Sequence, residues 1–304
     1  MNRFLLICLV FFLFACSYPF AKQDVLETDE LFFTFDDPSL AKTCNEDSIR
    51  LTRAGKLDQA EMGWDDCIKS NPNLVPLHLN RLRFYYLLDE YEVVKSKIVL
   101  ESPSRTSLTY QAILKELEVN NRPEERVVVL DALTRVKGWE FYAYEELANY
   151  YLQMGNFRFA EGYFNLILEA NSFHENALFG MADINIQKEN WSAVLDYAKS
   201  LQTAAKKNKD FHFYFLKANY ELGRYEEAIK WVESATLTEK STIAFLEVWR
   251  DTLMVLYDNP KWDAVLPHYR TAVEKGYLVP ESVFFPGLDK NSKELRSLIR
   301  TGRN

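Results

Sequence analysis

An aromatic or bulky apolar residue returns about every thirty-four positions along this chain of 304 residues. The ladder runs Leu57, Tyr91, Pro123, Phe157, Trp191, Tyr225 and Trp262, with steps of 34, 32, 34, 34, 34 and 37. Three residues past each rung stand Ala60, Val94, Arg126, Ala160, Val194, Ala228 and Val265, small or β-branched in every copy but one. This period is that of a helix–turn–helix unit, which cannot bury its apolar face alone and must stack on its neighbours. Apolar residues around the rungs keep helical spacing, as with Tyr144, Leu147, Ala148 and Tyr151 before the fourth rung and Ala160, Phe164, Ile167 and Leu168 after it. No stretch alternates Val, Ile or Thr between turns as a sheet requires. A hydrophobic content of 48% suffices for a continuous core, so the pattern predicts an all-α fold.

At their centres the best copies read Gly55-Lys56-Leu57, Gly155-Asn156-Phe157 and Gly223-Arg224-Tyr225, each followed by Ala60, Ala160 or Ala228. A glycine there supplies the left-handed residue that commonly ends a helix, and a small residue one turn later lets two helices approach closely. These centres resemble the tetratricopeptide repeat. The resemblance implies a right-handed superhelical solenoid of about seven helix pairs over residues 41–277, with a capping helix in the C-terminal segment 278–304. The first, fourth, fifth and sixth copies keep the pattern. The third has Asn121-Arg122-Pro123 at its turn and Arg126 in the small position, which predicts a splayed or reoriented pair. The seventh comes late, behind Pro260, which predicts a longer loop.

The first residues carry a different signal. Met1-Asn2-Arg3 is followed by twelve uncharged, mostly apolar residues, Phe4 to Ala15, and then by Cys16. A basic start, a short apolar core and a small residue before the cut define an export signal. Leu13-Phe14-Ala15-Cys16 resembles a bacterial lipobox, which makes residues 1–15 a signal peptide and Cys16 the acylated first residue. An uncleaved anchor helix and an ordinary signal cut nearby are the alternatives. Ser17 after the cysteine matches outer-membrane sorting in many lipoproteins of this kind. Residues 16–40, rich in Asp and Glu, read as an acidic tether, and Leu31-Phe32-Phe33-Thr34-Phe35 within it is apolar enough to pack on the first repeat.

Cys44 falls early in the first helix of the first pair and Cys67 late in its partner, positions that antiparallel helices bring opposite each other. Either a disulfide suited to an oxidising compartment or two buried thiols fits that placement. His78, His174, His212 and His268 stand alone, with no metal-ligand spacing, and His78 and His212 hold a packing position of the repeat. There is no phosphate loop, dinucleotide motif or nucleophile elbow. Asp65-Asp66 and Glu226-Glu227 are expected on solvated outer faces. Neither an enzyme, nor a cofactor, nor a metal site is implied. The net charge of −8 argues against a nucleic-acid partner, and Lys206-Lys207-Asn208-Lys209 reads as a solvated linker.

In tetratricopeptide arrays the first helix of each pair lines the concave face. The resemblance therefore implies a partner-binding set of Arg83, Tyr86, Lys115, Asn149, Phe179, Asp183, Phe213, Lys217 and Tyr220, with Gln111, Glu145, Arg250 and Tyr257 on the same face. This set does not form the Lys/Asn/Arg carboxylate clamp of chaperone-binding relatives. The expectation is a non-enzymatic scaffold, lipid-anchored at the outer membrane facing the periplasm, that binds another envelope protein or peptide segment. Two alternatives stand beside it: a ligand carrier or partner of a solute-binding protein with an enclosed cavity, and a surface adhesin.

Overall fold

The computed structural model describes residues 32–33, 40–104, 107–204, 211–257, 260, 262–276 and 284–285. Among them are fifteen α-helices and no strand. The signal peptide, Cys16, the lysine-rich linker and all of the C-terminal segment except Phe284 and Phe285 lie outside the described residues.

Six of the seven rungs are the first residue of a helix. The pairs are α1 (Leu40–Arg53) with α2 (Leu57–Ser70), α3 (Val75–Leu87) with α4 (Tyr91–Glu101), and α5 (Ser107–Val119) with α6 (Pro123–Leu133). They continue as α7 (Glu140–Gln153) with α8 (Phe157–Ala170), α9 (Glu175–Gln187) with α10 (Trp191–Ala204), and α11 (His212–Glu221) with α12 (Tyr225–Ser234). The small residues after the rungs are buried: Ala60, Ala160, Val194, Ala228 and Val265 are 0% exposed. The chain is an all-α repeat fold.

The turn inside each of these pairs is the same object. Gly55, Asp89, Asn121, Gly155, Glu189 and Gly223 all have φ between 52° and 70°. The next residue donates its amide to a carbonyl five positions back, as in Lys56 to Leu51, Arg122 to Leu117 and Arg224 to Asn219, at 2.8–3.0 Å. The left-handed residue itself donates to the carbonyl three back, as Gly155 does to Leu152 at 3.0 Å. Together these bonds satisfy the carbonyls a helix end leaves open. Only three turns use glycine, yet all six share the geometry.

Contacts divide the chain into two compact units, Met1–Ala143 and Tyr144–Asn304. In the first, α2 packs on α3 and α4 on α6, and Cys44 of α1 is disulfide-bonded to Cys67 of α2 with Cα atoms 6.1 Å apart. A crosslink across 23 residues removes denatured-state freedom worth roughly 3 kcal/mol. Arg81 of α3 is 2% exposed and chelates the Glu101 carboxylate at 2.6 and 2.7 Å while reaching Asp65 of α2 at 3.0 Å. Burial pulls its guanidinium below the ordinary value, and Asp65 opposes that. Lys97 joins Asp65 and lies 3.3 Å from Glu61, which accepts from the Tyr85 hydroxyl at 2.7 Å. Asp65 is partly exposed, as expected of an outer carboxylate, but it also pairs with a buried arginine, whereas Asp66 is exposed. In α6 the buried stripe takes in Glu125 in place of Arg126. Glu125 is 2% exposed, 2.6 Å from Arg83 and 3.8 Å from Arg122.

In the second unit α8 packs on α9, α10 on α11, and both α11 and α12 on α14 (Ile243–Leu256). Gly180 of α9 faces Phe164 of α8, which is wholly buried. A four-residue helix, α13 (Leu237–Lys240), lies between the sixth pair and α14. The seventh rung, Trp262, opens a 3-10 turn, Trp262–Ala264, ahead of α15 (Leu266–Glu274). Against α15 and the turn sit Phe284, 4.6 Å from the Tyr269 ring, and Phe285, 5.2 Å from Trp262.

Two substitutions test this account by urea unfolding. Glu189→Gly relieves a left-handed non-glycine residue and should stabilise by about 0.5–1 kcal/mol. Gly180→Ala should destabilise by about 1–3 kcal/mol despite alanine's better helix propensity, because a Cβ there would lie 2.2 Å from the Phe164 ring. Adding Phe164→Leu should recover part of that loss.

Candidate functional site

The second unit holds an open cleft of about 410 Å³. Phe179 and Asp183 of α9 form one wall and Phe213 and Tyr214 of α11 another. Thr238 and Glu239 of α13, with Thr242 and Ala244 at the start of α14, complete it. The helical register accounts for the two walls. Phe179 and Asp183 are one turn apart on the first helix of the fifth pair, and Phe213 occupies the matching helix of the sixth, where a 34-residue repeat superposes it on Phe179. The Tyr214 ring packs 5.8 Å from Phe179 and 5.6 Å from Phe213, and its hydroxyl donates to Asp183 Oδ1 at 2.7 Å. Burial pushes the Asp183 carboxyl above its ordinary value, and the tyrosine hydrogen bond pulls it partly back.

The floor depends on one carboxylate. Thr236 and Glu239 form a capping box around α13, Glu239 receiving the Thr236 amide at 3.0 Å and giving its own to the Thr236 hydroxyl at 3.1 Å. Glu239 is 3% exposed and also accepts the amides of His212 and Phe213 at 3.0 and 3.3 Å. Those are two of the open donors at the start of α11, so a residue 27 positions downstream supplies that helix with its N-terminal partner. His212 Nδ1 lies 2.9 Å from the same carboxylate. The side chain holds α11 and α13 in place and thereby shapes the cleft. The threonine–glutamate spacing is visible in the sequence, but the apolar run that follows it from Ile243 belongs to α14, so the spacing does not announce a separate four-residue helix.

The other residues expected on the first-helix face are dispersed. Arg83 donates to Glu125 at 2.6 Å and lies 5.6 Å from the Tyr86 ring centre. Tyr86 is half-buried against Tyr91, and burial pushes its phenol up, helped by Glu124 and Glu125. Lys115 and Asn149 are exposed on α5 and α7. Lys217 pairs with Glu221 at 2.6 Å and lies 5.5 Å from the Trp191 ring centre. Tyr220 packs edge-on against Tyr225 at 5.6 Å. Arg250 stands over the Phe284 ring at 4.7 Å and reaches the Phe284 carbonyl at 3.4 Å. Of the nine residues first named as partner-binding, three share the cleft: Phe179, Asp183 and Phe213. No group of three or more His, Cys, Asp or Glu side chains suited to a metal occurs among the described residues.

The repeat is defined by what recurs: a left-handed turn, a bulky residue opening the second helix, and a buried small residue three positions on. These recurring features are the ones in which the chain resembles the tetratricopeptide repeat. No family model matches its sequence, and no curated protein does either. Among solved structures it is similar to PilW, described as a widely conserved type IV pilus biogenesis factor, at 17% identity and a TM-score of 0.41 over 70% of this chain and 100% of that one. It is similar to pilF of Pseudomonas aeruginosa at 14% identity and a TM-score of 0.43, over 69% of this chain and 97% of that one. A tetratricopeptide repeat protein of Parabacteroides merdae aligns at 15% identity and a TM-score of 0.43, over 80% of this chain and 95% of that one.

The raised pKa of Asp183 fixes the sign of a pH test. A carboxyl with a higher folded than unfolded pKa weighs against the folded state above that folded pKa, and the burden fades as pH falls towards the ordinary value of 3.8. Asp183→Asn, which keeps an acceptor for Tyr214, should raise the melting temperature at pH 7 and give no gain below about pH 4. Thermal melts of both proteins across that range check it.

Proposed function

We propose that this protein is a non-enzymatic adaptor that docks a partner protein in the cleft between α9, α11 and α14, while a lipid on Cys16 keeps it at the bacterial envelope. The cleft itself carries the reading. It is open, and it presents two half-buried phenylalanine faces beside the Asp183 carboxylate. Elsewhere Arg83, Lys217 and Arg250 are engaged by neighbours within the chain. Aromatic faces next to a carboxylate suit a lysine or arginine side chain flanked by apolar residues, since a cation gains from the ring faces and from the charge together. A chain with a net charge of −8 favours the approach of such a partner.

The anchoring part rests on the sequence Leu13-Phe14-Ala15-Cys16. No helix of the described residues is long and apolar enough to cross a membrane, and acyl chains on one cysteine would provide attachment at roughly 0.8 kcal/mol per buried methylene. We place the lipid at the outer membrane, with the repeats facing the periplasm. The carrier reading calls for an enclosed cavity, and this cleft of about 410 Å³, though within the usual volume for small molecules, is open.

Crosslinked pull-down from cell envelopes tests the adaptor. Phe213→Ala and Asp183→Lys should each lower recovery of the captured partner at least tenfold, with Lys115→Ala as a control that changes nothing. Unchanged recovery with both substitutions would sink the cleft assignment. A small molecule co-purifying with the wild-type chain and lost with Phe213→Ala would favour the carrier. Cys16→Ser should move the protein from the membrane to the soluble fraction.

A further inference from the structure

The cleft between α9, α11 and α14 holds two carboxylates but has little capacity left to accept hydrogen bonds. Each Glu239 oxygen serves two nitrogens: Oε1 the His212 and Phe213 amides at 3.0 and 3.3 Å, Oε2 the Thr236 amide at 3.0 Å and His212 Nδ1 at 2.9 Å. An ionised carboxylate only accepts, so the imidazole hydrogen sits on Nδ1, and the roughly four acceptor positions of Glu239 are all taken. Asp183 Oδ1 receives the Tyr214 hydroxyl at 2.7 Å, and Thr242 gives its hydroxyl hydrogen to the Glu239 carbonyl at 2.9 Å. What the cleft still offers is the field of the carboxylates, the rings of Phe179 and Phe213, and the exposed Thr238 and Thr242 at its rim.

That combination discriminates among cations. A primary ammonium that sheds water needs acceptors for three N–H donors. A lysine on a docked protein finds some of them in its own chain; a free amine finds few. A quaternary ammonium has no N–H, sets its methyl groups against the rings and keeps its charge. A second class is disfavoured by sign, because the anionic end of a zwitterion would meet Asp183 and Glu239. We propose that the cleft binds a free quaternary ammonium cation with an uncharged tail, of the choline type. Its head lies against the Phe179 and Phe213 rings beside Asp183, and its hydroxyl turns towards Thr238 and Thr242. A cation there offsets the burial that pushes the Asp183 carboxyl above its ordinary value. The volume of about 410 Å³ admits a molecule of that size. The inference rests on the cleft that the docking reading uses, and goes beyond that reading in naming a small ligand that needs no partner protein.

An open cleft releases such a ligand during purification, so the measurement is isothermal titration calorimetry on the full chain in a maltoside detergent. Choline should bind at least tenfold more tightly than ethanolamine, which has the same tail on a primary ammonium. It should also bind at least tenfold more tightly than betaine or phosphocholine, which join the same head to an anionic group. Phosphocholine stands for a lipid headgroup as well, and tighter binding of it than of choline would overturn the free-cation assignment. Phe213→Leu, which stays apolar but loses the ring, and Asp183→Asn should each weaken choline at least tenfold. No binding of millimolar choline, or equal affinity for choline and ethanolamine, overturns the proposal on the unaltered chain alone. Unchanged choline affinity in both variants, with their melting transitions retained, refutes the placement in this cleft. Failure of choline to bind leaves partner capture from envelopes untouched, and failure of capture leaves these titrations untouched.

Discussion

A hydrogen bond from the turn within each of the six pairs back to the carbonyl five residues earlier sets the register on which the packing depends. It closes the first helix, fixes the direction in which the chain leaves, and so determines which residue opens the second helix and which faces its partner one turn later. The geometry persists at Asp89, Asn121 and Glu189, where a side chain must adopt a backbone conformation it disfavours. Stacking, more than the preference of the turn residue, therefore selects the conformation. At three turns the fold imposes strain; at the three glycine turns it does not.

That hierarchy explains what the sequence revealed. The rungs were legible because each repeat needs a bulky residue to open the second helix and a small one to admit the first. Tyr225 with Ala228 and Phe157 with Ala160 satisfy both demands within four residues of one another. Less visible were features made by residues far apart. Arg81 occupies a repeat position whose counterpart in the fourth pair is Leu147, and only the folded chain shows the carboxylates of Asp65 and Glu101 that neutralise it. Glu239 looks like an ordinary helix-start residue, yet it caps a helix that begins 27 positions earlier. Of the candidate site, Phe179, Asp183 and Phe213 could be found because repeat arithmetic places them on equivalent helix faces. Arg83 and Arg250 could not be sorted from them, because their internal partners come from other repeats or from the tail.

Within each unit a pair of phenylalanines from outside the repeats packs on the helix pairs. In the first unit Phe32 and Phe33 lie against Trp64, Asn80 and Arg122. In the second, Phe284 and Phe285 lie against Trp262, Tyr269 and Arg250. Both arrangements set a guanidinium over a ring and use a side chain to hold a phenylalanine carbonyl. End repeats of a stacked array lack one neighbour; Phe284 and Phe285 supply part of that surface at the last helices, whereas Phe32 and Phe33 touch residues of three successive pairs. The cleft bounded by Phe179 and Phe213 has no such occupant among the described residues.

The hold on Phe33 has a mechanical consequence. Tension applied ahead of Phe32 passes through Asn80 before it reaches the first turn of α1, because Phe33 precedes Leu40 in the chain. Behind that hold, the Cys44–Cys67 bridge fastens α1 to α2. A pull from that end would load this one side chain ahead of any helix.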